Sequence, residues 1–244
     1  MKIVSVVGAR PQFIKIAPIS EEIRKKHTEI IVHTGQHYHY KMSGIFFREL
    51  NIPTPDYNLK IGSGTHAQQT GKMLVGIEKI LLDEQPDIVL VYGDTNSTIA
   101  GALASAKIRT PIAHIEAGLR SFNNNMPEEI NRILTDRISQ LLFCPSDAAV
   151  QNLKNEGIEK NVYLVGDVML DLVRENIVRI QKESKILETL NLQEKQYILA
   201  TVHRSHNADN IKNLKSIFTA FIASGEKIIM PLHPRTEKML LHTN

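Results

Sequence analysis

The sequence predicts an α/β fold in which helices cover both faces of a mostly parallel, doubly wound sheet. Short apolar runs rich in β-branched residues alternate with longer amphipathic segments over the first 165 residues. The run at 87–92 contains Ile, Val and Leu without polar alternation, which indicates a strand buried on both faces. Repeated strand–helix pairs of this kind favour parallel strands joined by right-handed crossovers.

The predicted elements of the first part follow one another regularly. The segment at 2–7 is predicted as a buried strand. Pro11 lies in the first turn of the next helix, where proline is tolerated, and isoleucines follow at near-helical spacing. Further strands are predicted at 29–33, 87–92, 111–114, 141–144 and 162–165, and further helices at 42–50, 67–82, 95–107, 128–140 and 148–155.

A second unit is predicted to begin near residue 167. It holds helices at 169–183 and 211–223 and strands at 197–201 and 227–230. Two strands form a small parallel sheet, whereas parallel sheets are normally covered on both faces. We therefore expect one complete domain over 1–166 and an incomplete one over 167–244.

Composition excludes several classes of protein. The chain has 244 residues, of which 42% are hydrophobic and 23% are charged, so a disordered chain is not expected. A net charge of +3 is too small to indicate a nucleic-acid partner. The single cysteine, Cys144, excludes an internal disulfide, and its apolar surroundings favour a packed thiol. No stretch approaches the ~18 apolar residues of a membrane span, so we expect a soluble, cytoplasmic protein.

Polar residues cluster just after the predicted strands. Ligands of open α/β sheets bind outside the carboxyl ends of the strands, so these positions are the candidate site. The first unit offers carboxylates there, and the second offers His and Arg. Such a pair of surfaces suits an anionic substrate from which a proton is removed. The positions are 8–12 with Lys15, 34–37, 93–98, 115–121, 202–204 and 232–236.

Motifs for common cofactors and metals are missing from these positions. The turn at 8–10 could bind a phosphate through N–H groups, the helix dipole and Arg10, or it could be a plain turn. The G-x-G-x-x-G fingerprint and the Walker A loop are absent, which disfavours NAD and P-loop ATP use. The pairs His37/His39 and His203/His206 lack the ligand spacing of zinc or non-haem iron sites, so no metal is predicted.

Three carboxylates are candidate acid–base groups, and two of them have a structural alternative. Asp94 precedes Thr-Asn-Ser-Thr, and taken singly it is better explained as a helix N-cap. Glu116 follows a strand and has no helix to cap, which favours a general base. Glu128 opens a helix, where an acid suits the dipole; Glu128, Arg132 and Asp136 could also form an ion-pair ladder on one helix face.

Seven segments together resemble the UDP-N-acetylglucosamine 2-epimerase family, in the family's order and over the whole chain. Each segment alone is a weak signal, and the resemblance depends on all seven segments occurring together in this order. They are VGARPQ at 7–12, TGQH at 34–37, YGDT at 92–95, HIEAGLR at 114–120, PEEINR at 127–132, VHR at 202–204 and HPRT at 233–236.

The resemblance implies two Rossmann-like domains of the GT-B type with a UDP-sugar substrate between them. The family interconverts UDP-N-acetylglucosamine and UDP-N-acetylmannosamine without nicotinamide or metal, by eliminating UDP to a 2-acetamidoglucal and adding it back. One branch instead hydrolyses the substrate and releases N-acetylmannosamine. Residues 1–166 would then carry the acid–base groups and 167–244 would be a partial nucleotide-binding domain. A homodimer is implied, with neither a nucleic-acid nor a membrane partner.

The resemblance also assigns roles to residues. Asp94, Glu116, Glu128 and His203 are implied in catalysis, without an assignment of each acid to one face of C2. Cations are expected near the leaving diphosphate, because its charge must be stabilised. The implied substrate contacts are Arg10, Lys15, Gln36, His37, Arg120, Arg204, His233 and Arg235.

Two departures from the family pattern bear on activity. His206 and His39 stand where the family commonly has acids. The family's chain also continues beyond the segment that corresponds to residue 244, so we expect a C-terminally truncated, impaired epimerase. The alternatives are a non-catalytic fragment with residual nucleotide binding and a hydrolysing epimerase. A GT-B glycosyltransferase is disfavoured by the several strand-end acids.

Overall fold

Seven parallel strands form the main sheet of the computed structural model, which describes residues 1–37 and 43–241. Their spatial order is β3-β2-β1-β4-β5-β6-β7. The strands are β1 (Lys2–Val7), β2 (Thr28–His33), β3 (Tyr57–Asn58), β4 (Ile88–Tyr92), β5 (Ile112–Ile115), β6 (Leu141–Cys144) and β7 (Val162–Leu164). The predicted parallel, doubly wound sheet is confirmed.

The helices alternate with the strands along the chain. In the first part they are α1 (Arg10–Arg24), α2 (Gly44–Glu49), α3 (His66–Glu84), α4 (Asn96–Lys107), α5 (Pro127–Ile138), α6 (Asp147–Asn155) and α7 (Val168–Glu183). The remaining elements are α8 (Ile186–Thr189), β8 (Ile198–Leu199), α9 (Ser205–Ala208), α10 (Ile211–Ala223), β9 (Ile228–Ile229) and α11 (Pro234–Leu241). No helix formed by the described residues combines the length and the apolar character needed to cross a bilayer.

The strand order reverses between β1 and β4. The chain runs outward from β1 to β2 and β3, returns to place β4 on the other side of β1, and continues outward to β7. Ligands of doubly wound sheets bind at such a reversal, because the crossover connections diverge there and leave a crevice. The loops after β1 and β4 therefore form the expected position of the site.

Apolar residues cover both faces of the sheet. Alternate residues of a strand point to opposite faces, so Val4 and Val6 pack with α3 and α4 while Ile3 and Val7 pack with α1. All five residues of β4 are buried, as the non-alternating run predicts. Burial of this apolar surface stabilises the central strands and fixes their carboxyl ends.

The described contacts divide the chain into two compact units, Met1–Ile177 and Val178–Asn244. The division falls inside α7, whereas the boundary expected from the sequence precedes that helix. The second unit holds the parallel pair β8–β9, with Ile198 opposite Ile228 and Leu199 opposite Ile229. Both strands are shorter than predicted.

Candidate active site

Gln12 connects the end of β1 to the end of β4 through hydrogen bonds of its side chain. Its Oε1 accepts the N–H groups of Gly8 (2.8 Å) and Ala9 (3.0 Å), and its Nε2 donates to the carbonyl of Tyr92 (3.0 Å). The side chain is fully buried. It therefore holds the two loops on either side of the strand reversal in a fixed relation.

The N–H groups at the start of α1 are not available to a phosphate. Gln12 takes those of Gly8 and Ala9, and the N–H of Arg10 donates to Nδ1 of His37 (2.9 Å). Pro11 has none. The interpretation of this turn as a backbone anion site is therefore wrong. The half-buried Arg10 guanidinium itself has no hydrogen bond or ion pair to any residue that the structure describes.

Gly8 is required by close packing. A Cβ at this position would lie 1.9 Å from Oγ1 of Thr34 and 2.3 Å from Oγ of Ser97. These two hydroxyls are 2.8 Å apart, and Oγ of Ser97 donates to Oε1 of Gln36 (2.8 Å). The chain of hydrogen bonds fixes Gln36 beside the first turn of α4.

Lys15 and Glu116 form an ion pair across the strand reversal. Nζ of Lys15, from α1, donates to Oε2 of Glu116, which follows β5, at 2.6 Å. Their side chains are 7% and 19% exposed, so the pair is largely shielded yet accessible. Gly93 lies against it, with a φ of +61°, and a Cβ there would lie 3.0 Å from Oε2 and 3.2 Å from Nζ. The pair thus occupies space that only glycine leaves open.

The backbone of Glu116 adopts a left-handed conformation, with a φ of +72°. This region is uncommon for a residue other than glycine and recurs at functional sites. The N–H groups of Glu116 and Ala117 both donate to the carbonyl of Phe143, at 3.1 and 3.0 Å. These bonds to β6 hold the turn and direct the carboxylate toward Lys15.

Asp94 binds helix α5 rather than capping helix α4. Its carboxylate forms an ion pair with Arg132, and its carbonyl accepts from Nδ2 of Asn131 at 2.9 Å. The cap of α4 is Thr95, whose Oγ1 accepts the N–H of Thr98 at 3.4 Å. The predicted N-cap role of Asp94 is therefore wrong.

The predicted ion-pair ladder on α5 does not form. Arg132 contacts Asp94 and Glu129, the latter at 3.2 Å, and Asp136 binds residues outside the helix. Glu128 is half-buried, and its carboxylate forms no hydrogen bond or ion pair within 1–37 and 43–241. Partners from neighbouring loops are nearer than those one turn away, so helical spacing alone misassigned the contacts.

Arg120 lies in a buried network. It donates to Oδ2 of Asp136 (2.7 Å) and to both carboxylate oxygens of Glu156 (2.6 and 2.8 Å), and its side chain is 1% exposed. His114 forms hydrogen bonds through Nδ1 to Asp136 and through Nε2 to the carbonyl of Gly93, both at 2.7 Å. The guanidinium therefore supports the turn at Gly93 and does not face an open surface, contrary to the expected substrate contact.

Charges within this network determine the state of Asp136. Burial opposes its ionisation, but the charges and hydrogen bonds of His114 and Arg120 outweigh burial and lower its pKa.

Cys144 behaves as predicted. Its thiol is buried, and burial raises the pKa of the thiol to about 11. It is a packed thiol rather than a nucleophile.

The cationic residues of the second unit lie on two adjacent segments. The hydroxyl of Thr236 donates to the carbonyl of Val202, and the rings of His203 and His233 are 6.0 Å apart at 33°. His203 and Arg204 are exposed. The side chain of Arg235 lies outside the described residues, as does the whole of His39.

Sequence reasoning missed the contacts that position the candidate acids. Gln12 and Asn131 lie within two of the seven motifs, but the sequence pattern did not identify either of them as a positioning residue. For Asn131 a signal existed, because Glu128, Asn131 and Arg132 share one helix face. No described set of three or more His, Cys, Asp or Glu side chains could hold a metal ion.

The sequence profile of the UDP-N-acetylglucosamine 2-epimerase family matches residues 21–244. The chain belongs to this family. A UDP-N-acetylglucosamine 2-epimerase homolog of Methanococcus maripaludis is 63% identical over 241 residues, which cover 98% of this chain and 68% of that protein. The UDP-2,3-diacetamido-2,3-dideoxy-D-glucuronate 2-epimerase of Pseudomonas aeruginosa is 51% identical over 248 residues, covering 98% of this chain and 69% of its own.

A solved epimerase has the same fold. The crystal structure of Methanocaldococcus jannaschii UDP-GlcNAc 2-epimerase in complex with UDP-GlcNAc and UDP matches 99% of this chain and 68% of its own, with a TM-score of 0.93 and 47% identity. The predicted fold class, α/β with Rossmann-like units of the GT-B type, is confirmed. The prediction of family membership and of an isomerase-type enzyme family is confirmed as well.

Proposed function

We propose that this epimerase-family chain interconverts UDP-N-acetylglucosamine and UDP-N-acetylmannosamine. The observation that carries the proposal is the Lys15–Glu116 ion pair at the strand reversal, 2.6 Å long and still reachable from solvent. A carboxylate at this place can act as a general base, because it lies where ligands of doubly wound sheets bind. The family relatives provide the substrate class.

The proposed reaction begins with removal of the C2 proton by a carboxylate. The electron pair left at C2 forms the C1–C2 double bond of a 2-acetamidoglucal, while the C1–O bond breaks and UDP leaves with that bond's electrons. In the return step a carboxylic acid protonates C2 on the other face and an oxygen of UDP bonds to C1. Asp94, Glu116 and Glu128 supply these acid–base groups, since two faces need more than one.

The contacts of Glu116 suit a proton acceptor. Lys15 holds Oε2, whereas Oε1 makes no hydrogen bond to the described residues and is open to receive a proton. The left-handed backbone and its two bonds to Phe143 fix the direction of the side chain. A base held at one oxygen and open at the other needs little rearrangement on proton transfer.

Cations are proposed to stabilise the departing UDP. In the first unit the Arg10 guanidinium lacks a described protein partner, so it can bind a phosphate oxygen. In the second unit His203, Arg204, His233 and Arg235 are proposed to contact the nucleotide. We further propose that the first unit holds the acid–base groups, that the second binds the nucleotide, and that the protein is a homodimer.

A second substrate is favoured by one comparison. The Pseudomonas aeruginosa relative, 51% identical, is named for UDP-2,3-diacetamido-2,3-dideoxy-D-glucuronate. The same elimination and re-addition would apply, because the C2 proton and the UDP leaving group are shared. Assays with both sugar nucleotides distinguish the two candidates by their relative kcat/KM.

The proposal is tested in deuterated water with the purified chain and UDP-N-acetylglucosamine. We expect the manno epimer by NMR, with deuterium at C2 of the product. Glu116→Gln should lower the rate about 10²- to 10⁴-fold, the range for loss of a general acid or base. Exposed Glu159→Gln is the matched control and should leave the rate unchanged. Release of free N-acetylmannosamine would instead show the hydrolysing branch, and UDP binding without turnover the non-catalytic alternative.

A further inference from the structure

Glu129 is a buried carboxylate that the proposed reaction does not use. It is 1% exposed, and it accepts the N–H of Ser121 at 2.9 Å, the hydroxyl of Ser121 at 2.9 Å and the N–H of Phe122 at 2.9 Å. Burial opposes its ionisation, but these bonds and the nearby Arg132 lower its pKa. An ionised group so placed holds the segment that precedes α5.

That segment, residues 121–126, contains one residue with an uncommon backbone conformation. Phe122 has a φ of +56°, in the left-handed region that bulky residues rarely adopt, and the residue is 79% exposed. Neither packing nor local preference accounts for this conformation. The N–H groups of Ser121 and Phe122 both donate to Glu129, and these hydrogen bonds hold the conformation.

The same carboxylate also holds the partner of Asp94. Nη1 of Arg132 lies 3.2 Å from Oε2 of Glu129, while its Nη2 donates to Asp94. The guanidinium is 14% exposed, and Asp94 is 29% exposed. One arginine is thus shared between a buried, fully bonded carboxylate and a candidate acid–base group at the site.

We propose that Glu129 is a positioning residue that links the 121–126 segment to the Asp94 carboxylate through Arg132. Glu129 contacts one side of the Arg132 guanidinium, and Asp94 contacts the other. Arg132 therefore holds Asp94 in place while it shares its charge with Glu129. Without the charge of Glu129, Arg132 would be free to pair fully with Asp94 and to move it. The effect on catalysis rests on the proposed function, whereas the structural link does not.

The first test is a double-mutant cycle on turnover of UDP-N-acetylglucosamine. Glu129→Gln should lower kcat about 10- to 100-fold through misplacement of Asp94, and should change KM by less than about threefold. In an Arg132→Met background the same change should cost less than about threefold, since the link is already cut. Glu159→Gln is the control. Losses that multiply in the double variant would overturn the proposal and leave Glu129 with a structural role only.

The second test does not need turnover. Hydrogen exchange at the amides of Ser121 and Phe122 should accelerate about tenfold or more in Glu129→Gln, because both amides donate to it. Asp94→Asn should change the same exchange rates about threefold, and should change nothing in an Arg132→Met background. Ser121→Ala, which removes one donor only, replaces Glu129→Gln if that variant does not fold.

The two tests separate this inference from the proposed function. A parent chain that does not turn over the sugar nucleotide contradicts the proposed function, and the exchange experiment still decides the link. Exchange at Ser121 and Phe122 that ignores Asp94→Asn contradicts the link, even if the parent chain is active.

Discussion

Carboxylates near the strand ends of the first unit form two groups with different surroundings. Glu116 and Glu128 are partly accessible, the first with a single ion-pair partner and the second with none among the described residues. Asp136 and Glu129 are buried and accept several hydrogen bonds each. Groups with open oxygens can exchange protons with a substrate, whereas fully bonded groups hold the loops that carry them. Asp94 is partly exposed and is linked through Arg132 to Glu129 of the buried group.

The largest expected effect is on the free energy of unfolding, which should distinguish the buried carboxylates from the accessible ones. Asp136→Asn should reduce the free energy of unfolding by about 3–5 kcal/mol, because it leaves the buried Arg120 and His114 without their shared carboxylate. Glu116→Gln should cost less, about 1–3 kcal/mol, because Lys15 loses its counter-charge but the amide oxygen of glutamine can still accept its hydrogen bond. Urea unfolding measures both. Equal losses in the two variants would erase the distinction between the groups.

Gly93 lies next to the accessible Glu116 and also contacts the network of the buried Asp136. A substitution at Gly93 therefore tests both groups of carboxylates. Its carbonyl accepts from His114, and a Cβ would lie 3.0 Å from Oε2 of Glu116. With a φ of +61°, Gly93→Ala should cost about 1–3 kcal/mol in stability and displace the Lys15–Glu116 pair. Gly157→Ala is a useful control, since its φ is +75° but no atom lies within 4 Å of the added Cβ. We expect loss of epimerisation in the first variant only.

Low pH should remove the contribution of the buried carboxylates, Asp136 and Glu129, to the stability of the fold. The pKa values of Asp136 and Glu129 lie below their ordinary values in the folded state. Their contribution to stability is therefore complete above the unfolded-state pKa, near 4, and is lost as the pH falls through the folded-state value. Melting temperature measured from pH 6 to pH 2 should fall less steeply in Glu129→Gln than in the parent, while Glu159→Gln should follow the parent. Parallel curves for all three proteins would contradict this assignment.

The smallest effect concerns a buried polar atom that has no partner. Oγ1 of Thr135, next to Asp136 on α5, makes no hydrogen bond to the residues described. Thr135→Val keeps the shape and removes the unsatisfied hydroxyl, so it should raise stability by about 1 kcal/mol. Thermal unfolding of the variant beside the parent checks the sign. A lower melting temperature would indicate that the hydroxyl has a partner after all.

Buried strands were the elements that the sequence predicted best. The strands Lys2–Val7 and Leu141–Cys144 and the helix Ile211–Ala223 have their predicted bounds. Long apolar runs and clear helical spacing leave few alternatives. The strand Tyr57–Asn58 was missed because two residues carry no periodicity, and the helix Pro234–Leu241 was missed as well. The helix expected from residue 42 begins in the structure at Gly44, and residue 42 itself lies outside the described residues.

The sequence predicted that the candidate residues lie after the strands of the sheet, but it did not predict their contacts. The rule that ligands bind after parallel strands selected Glu116 and Asp94, whose surroundings the structure then supplied. Helical spacing could not show that Arg132 pairs with Asp94, since that partner comes from a loop 38 positions away in sequence. Nor could it show that Arg120 is buried. Contacts between distant segments follow from the tertiary fold, which a local pattern does not encode.

The left-handed backbone at Glu116 has a consequence for the chemistry that we propose for this residue. The turn and its bonds to Phe143 aim the carboxylate before any ligand arrives, so the energetic penalty of orienting it is met when the chain folds. Preorganisation of this kind makes reactivity a property of the main chain as much as of the side chain.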